Sequence, residues 1–280
     1  MSISIYPQVE QAPVQAQQSI KGFLERTQSP FIELKDLCKN YGTKIAVDHV
    51  NLNAYGGEVF GFLGPNGAGK TTTIKMIVGL LQPTSGTIKV AGNDMQKQPL
   101  QAKFSSGYVP DTPNLYSKLT PRELLHFVGD LYSMNPQQIN QRIEDLLKLF
   151  SLAEVGDDLI ETYSHGMQQK ASMAAALMHD PKVLVLDEPT VGLDPKSAHL
   201  IKDVLRQFAD RGALVFVTTH ILEIAERMCD RIGILNKGKL VAVGTMGELR
   251  AMVLGETSLE DIFLTLTGGD EEAEIGEVLK

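Results

Sequence analysis

Glu58-Val59-Phe60-Gly61-Phe62-Leu63, followed directly by Gly64-Pro65-Asn66-Gly67-Ala68-Gly69-Lys70-Thr71, is the stretch that decides the fold. An apolar run of strand length ends in a glycine-rich turn, and a helical stretch runs from Thr72 towards Val78. The eight residues satisfy the pattern G-x-x-x-x-G-K-[ST] in the strand, loop and helix setting that the pattern needs. Glycines let the backbone curl until its N–H groups converge on phosphate oxygens, and the following helix adds the positive end of its dipole. Lys70 supplies a cation for the β- and γ-phosphates of a nucleotide, and the Thr71 hydroxyl supplies a ligand for a bridging Mg²⁺. With 25 glycines in the chain, a chance match has a probability of about 1 to 2 %, so context has to decide.

Context comes from Val183-Leu184-Val185-Leu186, a buried-strand run that ends in Asp187-Glu188. Ligands of open α/β sheets bind at the carboxyl ends of strands, where both carboxylates fall. Asp187 is the expected Mg²⁺ partner, and Glu188 the expected base or orienter of an attacking water. Around these motifs FIELKDL, TIKVAG, GYVP, ALVFVTT and RIGILN also read as strands, with helix-like periodicity between several of them. The alternation predicts an α/β sheet with parallel strands at its centre. Between Leu119 and Met178 the strand signals stop, and Thr120-Pro121 and Asn135-Pro136 mark helix starts, which predicts an inserted helical lobe. Ser258 is the expected cap of a docked terminal helix whose apolar positions are Leu259, Ile262, Phe263 and Leu266.

Composition narrows the class further. The 280 residues are 43% hydrophobic and 21% charged, ordinary for a chain with a sizeable core. No run approaches the roughly 18 to 20 apolar residues of a membrane span, and the first residues lack the pattern of a secretory signal, so a cytoplasmic location is expected. A formal net charge of −8 opposes a broad grip on nucleic acid. The two cysteines, Cys38 and Cys229, have no zinc-ligand spacing in the sequence and read as packing thiols. Residues 1–30 read as a flexible arm with a short helix near Ile20 to Glu25, and DEEAEIGE near the end reads as a solvated acidic tail.

From about Phe31 to Lys239 the motifs and their order resemble the ATP-binding cassette (ABC) transporter family. The resemblance implies a P-loop NTPase cassette of class α/β, with a RecA-like core, an antiparallel β subdomain and an inserted α-helical subdomain. The expected organisation is an ATP-binding domain over 31–245, its helical lobe at about 112–180, and a C-terminal extension over 246–280. Tyr163-Ser164-His165-Gly166-Met167-Gln168 resembles the family signature L-S-G-G-Q, which places Ser164, His165, Gly166, Met167 and Gln168 against the γ-phosphate of ATP held by a partner cassette. Val191-Gly192-Leu193-Asp194 resembles the D-loop at the dimer interface, His220 the switch histidine, and Tyr41 the aromatic that stacks on adenine. The chain departs from the pattern twice. Asp111 stands where the family has the Q-loop glutamine, giving an acceptor-only carboxylate able to ligate Mg²⁺, and His165 stands at the first signature glycine.

The implied function is the ATP-binding and ATP-hydrolysing subunit of an ABC transporter, with ATP and Mg²⁺ as ligands and Glu188 and His220 as catalytic residues. Nucleotide contacts are expected from Tyr41, from Gly64 to Thr72, and from Asp111 and Asp194. The expected partners are a second cassette, as a homodimer, and an integral-membrane permease on a separate chain, at the cytoplasmic face of the membrane. Absence of a tandem cassette and of a long coiled coil favours transport over the family's other tasks, and the terminal SLEDIFLTLTGG resembles the bacterial ABC-2 type export group. The alternative is a non-transport ABC-type ATPase with a regulatory or assembly role. Cargo is chosen by the permease and is not written in this sequence.

Overall fold

The structure, a computed structural model, describes residues 29–253 and 258–268. Of the expected arm all but its last residues, with its short helix, and the acidic tail lie outside the described residues. Two sheets organise the rest. β1 (Ile32–Tyr41), β2 (Lys44–Ala54), β4 (Ser85–Val90) and β5 (Asn93–Asp94) form an antiparallel sheet of order β2-β1-β4-β5. β3 (Val59–Leu63), β6 (Ser106–Val109), β7 (Val183–Asp187), β8 (Leu214–Thr218), β9 (Arg231–Asn236) and β10 (Lys239–Gly244) form the second, in the order β10-β9-β3-β8-β7-β6. Only the β10–β9 edge of that sheet is antiparallel.

Every residue of β3, β7 and β8 is buried, as continuous apolar runs must be when both faces of a parallel sheet are covered. Phe216 of β8 stacks on Phe60 and meets Phe62 of β3, each at 5.4 Å between ring centroids. This aromatic group sits on the face shared with Leu34, Val47 and Ile88 of the antiparallel sheet, so the two sheets have a common core.

Helices occupy the intervals. α1 (Lys70–Ile77) follows the glycine-rich turn and starts two residues earlier than the sequence suggested, because Lys70 itself belongs to the first turn. α2 (Pro99–Phe104) precedes β6. α3 (Pro121–Leu131) and α4 (Pro136–Leu149) begin at the expected prolines. Thr120 accepts a bond from the Glu123 amide while the Glu123 carboxylate takes the Thr120 amide at 2.9 Å, a reciprocal cap, and Asn135 caps α4 through Gln137. α5 (His165–Leu177) completes the run between β6 and β7. Leu125, Ile139, Ile143 and Leu147 share one core with Met173 and Leu177 of α5 and with Leu184 and Val215 of the sheet. α6 (Pro195–Asp210) links β7 to β8, and α7 (Leu222–Met228) links β8 to β9. α8 (Met246–Met252) and α9 (Leu259–Thr267) follow β10, and Ser258 caps α9 as expected. Leu259 and Ile262 are fully buried against Ile232, Ile234 and Leu249, and Phe263 and Leu266 pack beside them.

Three strands escaped the sequence reading, among them β5, which is only two residues long. In β2, KIAVDHVNLNA, charged and amide residues interrupt the apolar ones, and register shifts against β1 break the two-residue period. β10 is a short edge strand returning from the Lys237-Gly238 turn, where both residues have positive φ. Cys229 behaves as the packing thiol expected: a Cβ on Gly61 would lie 2.8 Å from its sulfur, and burial pushes the thiol up to about 12.

His179 stacks on Tyr132 at 3.6 Å and donates from Nε2 to the Ser106 carbonyl at 3.2 Å. Burial holds it down at about 4. An unfolded chain takes up a proton near pH 6.5 that the folded chain refuses until about pH 4, so folding stability falls as pH drops through that window. Partial exposure of the ring keeps the effect to about 1–2 kcal/mol. Urea midpoints at pH 7 and pH 5 are expected to separate less in His179→Gln than in the parent. Phe216→Ala, which empties the space between the sheets, is expected to cost about 3–5 kcal/mol in the same measurement.

Candidate functional site

The glycine-rich turn is wedged between two backbone carbonyls. A Cβ on Gly64 would lie 2.4 Å from the Leu235 oxygen of β9, and a Cβ on Gly69 would lie 2.4 Å from the Ala46 oxygen of β2. Gly69 also has φ 110 and Gly67 φ 78, values that side chains resist. Lys70 is buried, and its ammonium donates to the carbonyls of Gly64 and, at 3.1 Å, Pro65. Burial lowers its pKa, while Glu188 and Asp187 oppose that shift. A cation held back on its own loop, at the N-terminus of a helix, is poised for an anion.

Asp187 closes β7 with only 3% of its surface exposed and accepts a 2.5 Å bond from the Thr218 hydroxyl. Its carboxyl is raised above the usual range, first by burial and then by Asp111 and Glu188, against the pull of Thr218 and Lys70. Glu188 adopts φ 51, a left-handed backbone that glutamate rarely takes, and its amide bonds to the Thr218 carbonyl at 3.2 Å. The turn sends its carboxylate to His220, whose Nδ1 lies 3.0 Å from Oε2 and whose amide donates to the same oxygen at 3.3 Å.

These groups line one cavity of about 640 Å³, a volume within the ordinary range for ligand sites. Tyr41, Asn66, Gly67, Gly69, Lys70, Thr71, Thr72, Asp111, Asp187, Glu188 and His220 are all on its wall. Tyr41 is half exposed, with the Lys39 ammonium 5.4 Å from the ring centre. Lys44 and Ala46 complete the wall. The sequence reading missed both because it missed β2, and no motif marks them. Ala68 is buried behind the loop, and Gly64 and Pro65 face a neighbouring cavity of about 320 Å³ with Thr219 and Phe263.

The signature-like residues are not on this wall. Ser164 caps α5, accepting from the Met167 amide at 3.3 Å, and is exposed. Gln168 turns its amide to the Tyr163 carbonyl at 3.2 Å, and Met167 packs against the lobe's core. His165 is exposed with its ring against Gly192, where a Cβ would lie 3.2 Å from the ring, and Gly166 is the next residue of α5. Asp194 caps α6 through the Ser197 amide at 3.0 Å and the Ser197 hydroxyl at 2.5 Å, and these bonds hold its carboxyl below the usual range.

Over residues 47–191 the chain matches the model of the family described as ABC transporter. The chain belongs to that family. Among its ABC relatives, the linearmycin resistance ATP-binding protein of Bacillus subtilis is 40% identical over 86% of this chain and 76% of its own length. The Nod factor export ATP-binding protein I of Paraburkholderia xenovorans is 39% identical over 80% of this chain and 74% of its own. A solved dimeric structure of an ATP-binding cassette in a post-hydrolysis state, bound to ADP and Pi, superposes with a TM-score of 0.71 at 26% identity, over 77% of this chain and 98% of the other. This ABC protein is therefore an ATP-binding subunit and an ATPase. No described helix is long and apolar enough to cross a membrane.

Gly69→Ala is expected to weaken ATP binding at least tenfold, read by titration calorimetry. The same variant should lose about 1–3 kcal/mol of stability, because the left-handed backbone and the Ala46 carbonyl both oppose a methyl group.

Proposed function

We propose that residues 64–72 hold the ATP phosphates of one cassette while Ser164 to Gln168 of a second copy complete the site, and that closure and opening of this pair drive export through a separate membrane permease. The observation that carries the reading is a separation: one chain holds both a phosphate loop and an exposed signature helix start, and the second is not on the wall of the cavity lined by the first. A helix N-terminus attracts anions, so Ser164 and the amides behind it, with His165 and Gly166 presented beside them, suit the γ-phosphate of a nucleotide in the facing copy. Asp194, fixed on the adjoining loop, belongs to the same interface.

For Mg²⁺ the donor set fits. Thr71, Asp187 and Asp111 offer hard oxygens around one cavity, and the carboxyl of Asp187, raised first by burial and then by Asp111 and Glu188, is one whose charge a divalent ion would stabilise. Held by these three residues, a divalent ion would supply positive charge against the phosphates of the nucleotide. Glu188 accepts the proton of the attacking water, and His220 holds the Glu188 carboxylate in place through Nδ1. Tyr41 offers its exposed ring face to the base. Once the γ-phosphate is cleaved, the contacts that joined the two copies are lost and the pair opens.

The membrane partner is assigned to the groove between the sheet edge and the helical lobe, on the cytoplasmic face. A cavity of about 450 Å³ is lined there by Leu80, Tyr108, Leu115, Val128, Leu131 and Tyr132, among others. Leu80 and Leu131 are 64% and 62% exposed, and Phe104 and Tyr116 add exposed rings nearby. Apolar surface of this kind on a polar molecule marks a binding face. The export direction is supported by the relatives named for resistance and for export. The ATP-binding domain is assigned to 31–245 with its lobe at about 112–180, and the C-terminal extension to 246–280.

Glu188→Gln is expected to lower ATP turnover about 100-fold or more while leaving binding intact, and to trap an ATP-bound dimer in size-exclusion chromatography. A Glu188→Gln protein that stays monomeric with ATP overturns the two-copy site. Leu131→Asp is expected to keep ATP binding and to lose co-purification of an integral-membrane chain. Association of the parent protein with soluble proteins alone would point instead to a regulatory or assembly ATPase.

A further inference from the structure

The sequence gives Cys38 no histidine at metal-ligand spacing, yet the antiparallel pairing of β1 with β2 supplies one. Register runs from Leu37 opposite Val50 to Lys39 opposite Val47, so Cys38 is faced by two residues, Asp48 and His49. His49 takes φ 48 at this bulge. In a regular strand neighbouring side chains point to opposite faces, and the left-handed turn cancels that alternation. The Cys38 sulfur, a carboxylate oxygen of Asp48 and a ring nitrogen of His49 consequently lie within 4.8 Å of one another.

We propose that Cys38, Asp48 and His49 form a site for a borderline divalent cation of the zinc class. Thiolate, imidazole and carboxylate are the three ligand types that zinc takes together, and they suit neither magnesium nor calcium. Tetrahedral bonds of about 2.0–2.3 Å need donors about 3.3–3.8 Å apart, so the site forms when side-chain rotations bring the sulfur closer and part Asp48 Oδ1 from His49 Nδ1, which lie 2.7 Å apart in a hydrogen bond. The Asp48 carboxylate is already shared in a useful way: Oδ1 lies 2.7 Å from His49 Nδ1, and Oδ2 lies 3.5 Å from the Lys239 ammonium. Lys239 anchors one oxygen, the second-sphere support that metal carboxylates commonly have, while the other exchanges its bond to His49 for the ion. The sulfur accepts the His49 amide at 3.3 Å and its thiol donates to the Asp36 carbonyl at 3.5 Å, contacts that fix its position between the two strands.

Charge and protons balance. The Cys38 thiol loses its proton to solvent, neutral His49 moves the proton it shares with Asp48 from Nδ1 to Nε2 through solvent and ligates through Nδ1, and ionised Asp48 loses none. One dication with one thiolate and one carboxylate is neutral overall. Cys38 is 7% exposed, whereas the His49 side chain is 72% exposed, so the ion enters from the His49 side and keeps a water as fourth ligand. The clip would tie β1 to β2 close to Tyr41 and Ala46, on the outer wall of the nucleotide cavity. This inference stands independently of the two-copy transport reading.

The test is titration of Co²⁺ into the chelator-stripped full chain, followed by competition with Zn²⁺. One equivalent of Co²⁺ is expected to produce a thiolate charge-transfer band in the near ultraviolet, which Zn²⁺ bleaches. Cys38→Ser should abolish the band, and His49→Asn should weaken Co²⁺ affinity at least tenfold. Cys229→Ser, which removes the remaining thiol, should leave the band unchanged. Absence of the band from the parent chain, or its survival in Cys38→Ser with circular dichroism matching the parent, overturns the site. Unaltered affinity in His49→Asn overturns it equally, since the ion would then be held without the imidazole that the strand pairing brings to Cys38.

Discussion

The approach of two main-chain carbonyls to the phosphate loop is the constraint on which the molecule turns. Ala46 belongs to the antiparallel sheet and Leu235 to the parallel one, and both carbonyls press on glycines of the same loop. The contact is reinforced by a chain of backbone bonds from Asp48 to Gly238 and from Gly238 to Ala68, each 2.9 Å. The loop is thus the place where the two sheets are joined as well as the place where phosphate is held. A backbone fixed from both sides has its N–H groups aimed before the anion arrives, so little ordering is left for binding to accomplish.

Around this fixed loop the charges are arranged in opposition. Three carboxylates, Asp111, Asp187 and Glu188, share the cavity with Lys70, which is turned towards its own loop's carbonyls. Asp187 is the most buried of the three and has the most to gain from a cation, since among the described residues its close side-chain donor is the Thr218 hydroxyl. Glu188 differs, being braced by His220 and by a backbone conformation outside the usual region. A strained residue at the end of a parallel strand, next to a buried acid, divides the two carboxylates between holding charge and moving a proton. Asp111 makes this cavity more acidic than a glutamine would.

Much of this was legible in sequence because it rests on local rules. Strand, glycine turn and lysine are consecutive, Asp187 and Glu188 end an apolar run, and the caps at Thr120, Asn135 and Ser258 are announced by residues within one helical turn of them. Lys44 and Ala46 were illegible because β2 is an edge strand whose polar residues and bulges hide its period. The pairing of Cys38 with His49 was hidden for a related reason: residues eleven apart in the chain meet only across a hairpin whose register no local pattern states.

Sequence by itself determined the chemistry of the phosphate loop, the acidic pair after β7 and the kind of fold that carries them, because short-range sterics and hydrophobic periodicity act between neighbours in the chain. Tertiary structure alone decided which side chains share the cavity, that His220 braces Glu188, and that the signature residues are not on its wall. Those relations depend on strand order and on the path of α3 to α5 around the core. Distances between segments far apart in the chain are set by packing, and packing is a property of the whole fold.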